Sequence, residues 1–204
     1  MNFKRVIVVL LLTVLFWSKI SLYSSNILYA NESPADYVMD TTEKAINTLT
    51  DANTNQKEKE IKFGKLFDEN FDVPSISRFV LGKYWKTSST NQKKEFIRAF
   101  RNYIVKTYSS RFGEYSGEKL ALLNTENEAN PKLFIVHTAL NREDGAPIKV
   151  DWRVGKKKDR FVILDIVIEG ISLAVTQRAE FTAVIDQNEG NVDKLIIMLK
   201  EKST

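Results

Sequence analysis

The chain has 204 residues, no cysteine, and 30 basic against 26 acidic residues. The lack of cysteine excludes disulfides, thiol catalysis and cysteine-ligated metal ions. Without the three cations of residues 1–30, 27 basic residues remain against 26 acids, and such a balance argues against the concentrated basic face of a nucleic-acid-binding protein.

Residues 1–30 are predicted to be an export signal. Lys4 and Arg5 precede twelve consecutive apolar residues at 6–17, and Ala30 is a small residue where a signal peptidase would cut. Twelve residues are too few for a membrane span, which needs about 20. An uncleaved anchor is the alternative. We expect cleavage, a periplasmic location, and one domain at 31–204.

The first half of this domain has helical periodicity. Helices are predicted at 34–49, 61–71, 75–81 and 89–115. Gly82 ends the third helix, and Ser89 and Gln92 form a capping-box pattern at the start of the fourth. Aromatic and aliphatic residues three or four apart give the fourth helix one apolar stripe.

The second half changes to a period of two. Strands are predicted at 120–126, 133–140, 148–154 and 161–168, with a turn at Asp144-Gly145 and closing helices at 176–187 and 192–200. This order predicts an α+β fold, in which a curved antiparallel sheet of about four strands is covered on one face by N- and C-terminal helices.

Few residues are suited to catalysis, and no metal-ligand spacing is found in the sequence. His137, on a strand, is either a general base or a polar residue that is hydrogen-bonded for structural reasons. Asp165 and Glu169 form either an acid–base pair or structural contacts to Arg153, Arg178 or the loop at Gly170. The run at 156–158, three lysines in a hairpin turn, is either solvated or bound to an anionic partner.

Aromatic residues are concentrated in the predicted helices ahead of the sheet. Periodicity alone does not distinguish a filled core from an apolar cavity between helices and sheet. Both remain open from the residue pattern.

Several strings occur together in a characteristic order. They are FDENFD at 67–72, LGKYW at 81–85, TNQKKEFIRAF at 90–100, VDWRV at 150–154 and DIVIEGISL at 165–173, followed by Arg178, Phe181 and a closing GNVDKL at 190–195. This pattern resembles the MlaC family, also described as toluene-tolerance or ABC-transporter auxiliary proteins, over about residues 35–200. Gln177-Arg178 departs from the Tyr-Arg that many members carry.

The resemblance implies a non-enzymatic periplasmic carrier of glycerophospholipid on a sheet resembling the nuclear-transport-factor-like cone. It implies two partner complexes, namely the substrate-binding ring of an inner-membrane ABC transporter and an outer-membrane lipoprotein–porin complex. No cofactor or metal is expected, since the phospholipid is cargo. The alternatives are a hopanoid-type lipid as cargo, a small-pocket enzyme on the same scaffold, or a docking protein with a filled core.

On this interpretation, eleven residues are candidates for the lipid-binding pocket. They are Phe67, Phe71, Phe79, Trp85, Phe96, Phe100, Tyr103, Val150, Trp152, Ile166 and Ile168.

Overall fold

The computed structural model describes residues 33–111, 117–142 and 145–204. The predicted signal at 1–30, the last residues of the helix predicted at 89–115 and Asp144 of the predicted turn lie outside these ranges. The described residues form, in chain order, α1 (Pro34–Thr50), α2 (Gln56–Asn70), α3 (Val73–Leu81), α4 (Tyr84–Thr87), α5 (Thr90–Arg111), β1 (Lys119–Asn127), β2 (Leu133–Asn141), β3 (Ile148–Lys157), β4 (Arg160–Ile168), β5 (Ile171–Ser172), α6 (Leu173–Gln187) and α7 (Val192–Glu201).

The strands form one antiparallel sheet in the order β1-β2-β3-β4-β5. Alternation along β3 places Val150 and Trp152 on the face that packs against helices, which we call the inner face, and Asp151 and Arg153 on the outer face. The register shifts once between β1 and β2 and once between β3 and β4. Such bulges bend the strands and increase their twist.

The α+β prediction is confirmed, with five strands in place of about four. The additional strand, β5, has two residues, which is too short for any alternation to be visible in the sequence. It follows a tight turn at Glu169 and Gly170, whose φ angles are both positive at 49° and 79°. Positive φ at both central residues is typical of a two-residue hairpin.

Side-chain caps set the helix starts. The predicted capping box is confirmed, because the Gln92 N–H donates to Ser89 Oγ at 3.1 Å and the Ser89 N–H donates to Gln92 Oε1 at 3.0 Å. Helix α6 starts at Leu173, three residues before the predicted 176, because Ser172 Oγ accepts the Val175 N–H at 3.0 Å. The short helix α4 was not predicted.

The buried apolar residues form three separate clusters. The helical cluster joins α3, α5, α6 and α7, and the sheet cluster joins α1 to the inner face of the sheet. The third cluster joins α2, α3 and α5. Fully buried members include Phe96, Phe181 and Leu195 in the helical cluster and Val136, Val154 and Ile163 in the sheet cluster.

The joint between α2 and α3 is fixed to the sheet. Phe71 forms an isolated parallel bridge with Ile163 of β4, and the Asp72 N–H donates to the Ile163 carbonyl at 3.0 Å. The helices and the inner face of the sheet are therefore held at a defined separation.

Candidate functional site

A cavity of about 370 Å³ lies where the three clusters meet. This volume is within the range of about 300–1,000 Å³ that is typical of small-molecule pockets. Its wall is mostly apolar and is formed by Thr41, Thr42, Ala45, Ile46, Phe63, Phe67, Phe71, Ile76, Val80, Phe100, Ile104, Tyr108, Glu118, Leu120, Leu140, Val150, Trp152, Leu164, Asp165, Ile166, Ile168, Leu173, Ala174 and Gln177.

Helix α2 contributes an aromatic wall. Phe63 and Phe67 are four apart, so their side chains lie on one stripe of the helix, and Phe71 follows directly after its last residue. The ring centroids are 6.4 Å apart for Phe63–Phe67 and 4.7 Å apart for Phe67–Phe71. Three adjacent rings give a continuous apolar surface along this side of the cavity.

The inner face of the sheet forms the floor. Val150 and Trp152 of β3 lie opposite Ile168 and Ile166 of β4 in the antiparallel register. The buried Trp152 indole N–H donates to Thr138 Oγ1 at 3.1 Å, and the Thr138 hydroxyl donates to the Val150 carbonyl at 2.7 Å. The polar atom of the tryptophan is thus satisfied within the sheet, and its ring is left to line the cavity.

The hydroxyl groups of α1 are also satisfied inside the protein. The Thr41 hydroxyl donates to Asn70 Oδ1 at 3.2 Å, and the Thr42 hydroxyl donates to the Val38 carbonyl at 2.8 Å. With their hydroxyls occupied, these residues contribute to the wall without presenting unpaired donors.

Asp165 has a structural role in the described fold. Its carboxylate accepts the Ile166 and Ala174 N–H groups at 2.9 and 3.0 Å and the Ser172 hydroxyl at 2.5 Å. These bonds fix β4 to the start of α6. Of the structural contacts considered for Asp165 and Glu169, those to the chain around the loop at Gly170 are found, and those to Arg153 and Arg178 are not. Arg153 pairs with Glu128 at 3.0 Å, and the Arg178 guanidinium lies 5.1 Å from the centre of the Phe79 ring.

Glu169 and His137 also make local contacts. The Glu169 carboxylate accepts the Lys149 backbone N–H, which holds the turn before β5. His137 is on the outer face of the sheet, with Nδ1 2.7 Å from Asp151 Oδ1. The sheet therefore lies between His137 and the cavity, so this histidine cannot act as a base on a ligand inside it.

Seven of the eleven predicted pocket residues line the cavity. They are Phe67, Phe71, Phe100, Val150, Trp152, Ile166 and Ile168.

The other four lie away from the wall. Phe96 is fully buried in the helical cluster, with its ring edge-to-face against Phe181 at 5.9 Å, and Tyr103 packs against the same cluster. Trp85, on the short helix α4, also packs there. Phe79 points outward and is 40% exposed. The structure therefore places these four residues in packing or surface positions, and contact with lipid stays a prediction for all eleven.

The prediction missed the contribution of α1. Thr41, Thr42, Ala45 and Ile46 recur at the three- and four-residue spacing of one helix face, and this spacing was the available signal. Two are threonines and one is alanine, so the face carries few large apolar side chains.

Two further properties concern the described residues only. Within them, no helix combines the length and the hydrophobicity needed to cross a bilayer. Within the same ranges, no group of three or more histidine or acidic side chains is arranged to hold a metal ion.

Comparison with known proteins identifies relatives both by sequence and by structure. The intermembrane phospholipid transport system binding protein MlaC of Haemophilus influenzae is 26% identical over 129 residues, which cover 61% of this chain and 59% of that protein. This chain thus spans less than two thirds of that relative. A phospholipid-binding protein from Ralstonia solanacearum, solved in complex with a phospholipid, has a TM-score of 0.71 at 21% identity. The superposition covers 83% of this chain and 96% of that one, and shows the same fold.

The family model described as MlaC protein matches residues 39–201, which include all the helices and strands of the described domain except the first residues of α1. This chain therefore belongs to the MlaC family.

Proposed function

We propose that this protein is a periplasmic carrier that encloses the acyl tails of a glycerophospholipid in its cavity. It shuttles the lipid between an outer-membrane lipoprotein–porin complex and the substrate-binding ring of an inner-membrane ABC transporter, and so maintains lipid asymmetry. The observation that carries the proposal is the apolar cavity between α1, α2 and the inner face of the sheet. The Haemophilus and Ralstonia relatives, a phospholipid transport system binding protein and a phospholipid-binding protein, support it.

The energetics of lipid transfer explain why such a cavity is needed. A diacyl lipid exposes about 30 methylenes, and at about 0.8 kcal/mol each its transfer from a membrane into water costs on the order of 20 kcal/mol. Apolar walls that replace water around the tails remove most of this cost.

The polar groups of the wall agree with a cargo held by its tails. Hydrogen bonds within the protein are made by the side chains of Asp165, Thr41 and Thr42. Gln177 Nε2 donates to Glu180 at 2.9 Å. A charged headgroup gains no partner from these residues and is best left in solvent.

At the edge of the cavity, Ile168 is 38% exposed, which gives the tails an apolar entrance.

The proposal is tested by native mass spectrometry of the gently purified protein and by uptake of a fluorescent phospholipid. Ala45→Phe places a ring in the cavity from α1 and is expected to lower bound lipid several-fold. Ala183→Phe makes the same exchange at an exposed position of α6 and serves as the matched control.

The outcome is decided by the bound mass and by the contrast between the variants. A phospholipid mass that is lost in Ala45→Phe and kept in Ala183→Phe supports the proposal. A hopanoid-type mass supports the alternative cargo. An empty wild-type protein that takes up no labelled lipid contradicts carriage of either lipid.

A further inference from the structure

A second concave surface shares Phe71 with the cavity. It has a volume of about 510 Å³ and is formed by the start of α3, one face of α5 and the hairpin between β3 and β4. We call it the basic cleft, and its residues are Asp68, Phe71, Asp72, Val73, Pro74, Lys94, Ile97, Arg98, Arg101, Lys157 and Arg160.

Both acidic residues of the cleft are already paired. Asp68 accepts two hydrogen bonds from the Arg101 guanidinium, at 3.0 and 2.8 Å. Asp72 is 2.6 Å from Lys157 Nζ and accepts the Ser75 N–H at 3.3 Å. Burial alone would raise the pKa of Asp72, but the bonds from Lys157 and Ser75 outweigh it and hold the pKa below its usual value. Two of the five cations are thereby neutralised.

The remaining three cations form no salt bridge within the described ranges. Lys94 and Arg98 are exposed and lie one turn apart on α5. The Arg98 charge acts on the neighbouring Glu95, although the pKa of that carboxyl is lowered mainly by its hydrogen bond from Lys200. Arg160 donates to the backbone carbonyl of Glu69 at 2.8 Å, which fixes its position without cancelling its charge. Arg160 also lies directly opposite Lys157 in the β3–β4 register. Because Lys157 is paired with Asp72, the Arg160 guanidinium is the cation of this hairpin pair that stays available to an anion.

The shape and composition of the cleft favour one kind of occupant. Besides its cations, the cleft is lined by the apolar side chains of Val73, Pro74 and Ile97, of which Pro74 is exposed. A flat membrane surface does not fill a concave cleft, and a free phosphate leaves these apolar side chains uncovered. A peptide segment with alternating acidic and apolar side chains matches both features.

We propose that the basic cleft docks an acidic segment of a protein partner, with carboxylates at Lys94, Arg98 and Arg160 and an apolar side chain against Pro74 and Ile97. The lysine run at 156–158 then provides one side of the docking surface through Lys157. This inference does not depend on which lipid the cavity holds.

The test measures binding of a labelled synthetic peptide of Asp, Glu, Leu and Phe to the full chain by fluorescence anisotropy. The double variant Lys94→Glu/Arg98→Glu reverses two exposed cations of the cleft and is expected to weaken binding about tenfold or more. Lys57→Glu/Lys194→Glu gives the same change in net charge at exposed positions outside the cleft and is expected to bind like the wild type. Thermal unfolding of both variants checks that they remain folded.

Each result decides the matter. Selective loss in the cleft variant, together with weaker binding at higher salt, supports the proposal. Equal weakening in both variants overturns it, because the interaction then follows net charge alone. The proposal is also overturned if the peptide fails to bind the wild-type protein, and binding of phosphatidylglycerol vesicles or inorganic phosphate that requires Lys94 and Arg98 would then assign the cleft to a different anion.

Discussion

The hydrogen bond between Trp152 and Thr138 allows the stability of the cavity floor to be tested quantitatively. Both side chains are buried, and Thr138 is fully inaccessible to solvent. Thr138→Val keeps the shape of the side chain but removes the acceptor of the indole N–H. A buried donor left without a partner costs about 1–3 kcal/mol. We therefore expect Thr138→Val to lower the free energy of unfolding by about 1–2 kcal/mol.

The same exchange is expected to cost less when the indole is absent. In a Trp152→Phe background there is no indole N–H to leave without a partner, and only the bond from the Thr138 hydroxyl to the Val150 carbonyl is lost, as it is in the wild-type background. The double-mutant cycle should give a coupling energy of about 1–2 kcal/mol.

Urea unfolding followed by far-UV circular dichroism measures this cycle. With a slope of about 2 kcal/mol per molar, Thr138→Val should lower the urea midpoint by about 0.5–1 M and leave the slope unchanged. The reasoning is refuted if Thr138→Val costs the same in both backgrounds, since the cost would then come from packing and not from the orphaned indole.

Three further substitutions test contacts around the site. Asp165→Ala removes the acceptor of three hydrogen bonds and should cost about 2–4 kcal/mol, seen as a fall in Tm of about 5–15 °C; an unchanged Tm would contradict the structural role. Asp72→Asn should lower the free energy of unfolding by only about 1 kcal/mol at pH 7, since the Lys157 ammonium is half-exposed and is hydrated by solvent once the ion pair is gone. The Asp72 carboxyl has a lowered pKa in the folded state, so its contribution is present above the unfolded value of about 3.9 and is lost as pH falls through the folded pKa. The deficit of Asp72→Asn in urea unfolding should therefore vanish in strong acid, and a deficit that persists there would argue against the ion pair. Gly82→Ala should lower Tm, because Gly82 has φ 56° and ψ −127° and an added Cβ would lie 2.9 Å from Arg178 Nε; a stabilised variant would show that the turn relaxes.

The inward face of β3 is visible in the sequence, because Val150 and Trp152 alternate with Lys149, Asp151 and Arg153. The face of each β4 residue is not, because residues 161–168 are apolar on both faces. In the structure a register shift between β3 and β4 interrupts the alternation, and the consecutive residues Leu164, Asp165 and Ile166 all line the cavity.

The helical residues were harder to place because a helix contacts several neighbours around its circumference. Phe96 and Phe100 are four apart on one stripe of α5, yet only Phe100 reaches the cavity. Periodicity identifies an apolar face, but what packs against each turn of it depends on tertiary contacts. Residues of the helical cluster around Phe181 pack against the first turns of α5. No local sequence pattern indicates at which turn of α5 this packing ends.

The threonines of α1 show a second limit. Thr41 and Thr42 count as polar in a hydrophobicity pattern, but each hydroxyl finds an acceptor within the protein. Whether such a hydroxyl presents a free polar group to the cavity depends on its hydrogen-bond partner, and the partner of Thr41 is Asn70, 29 residues away. The Thr42 bond is local, to the carbonyl four residues earlier, but the long-range bond from Thr41 to Asn70 is not visible in the sequence around Thr41.

The fold can contain an interior cavity because the apolar burial that stabilises it lies in the clusters around that cavity. Ile163 and Ile166 make this testable, since both are isoleucines on β4, but Ile163 is fully buried in the sheet cluster and Ile166 faces the cavity. Ile163→Ala should cost about 2–5 kcal/mol, because removal of its side chain creates a new void among packed neighbours. At Ile166 the space already exists and the added cavity cost is small, so Ile166→Ala should cost only about 1–2 kcal/mol. Equal losses in urea unfolding would mean that the cavity wall is packed as tightly as the core, and a wall of that kind could not part to admit acyl chains.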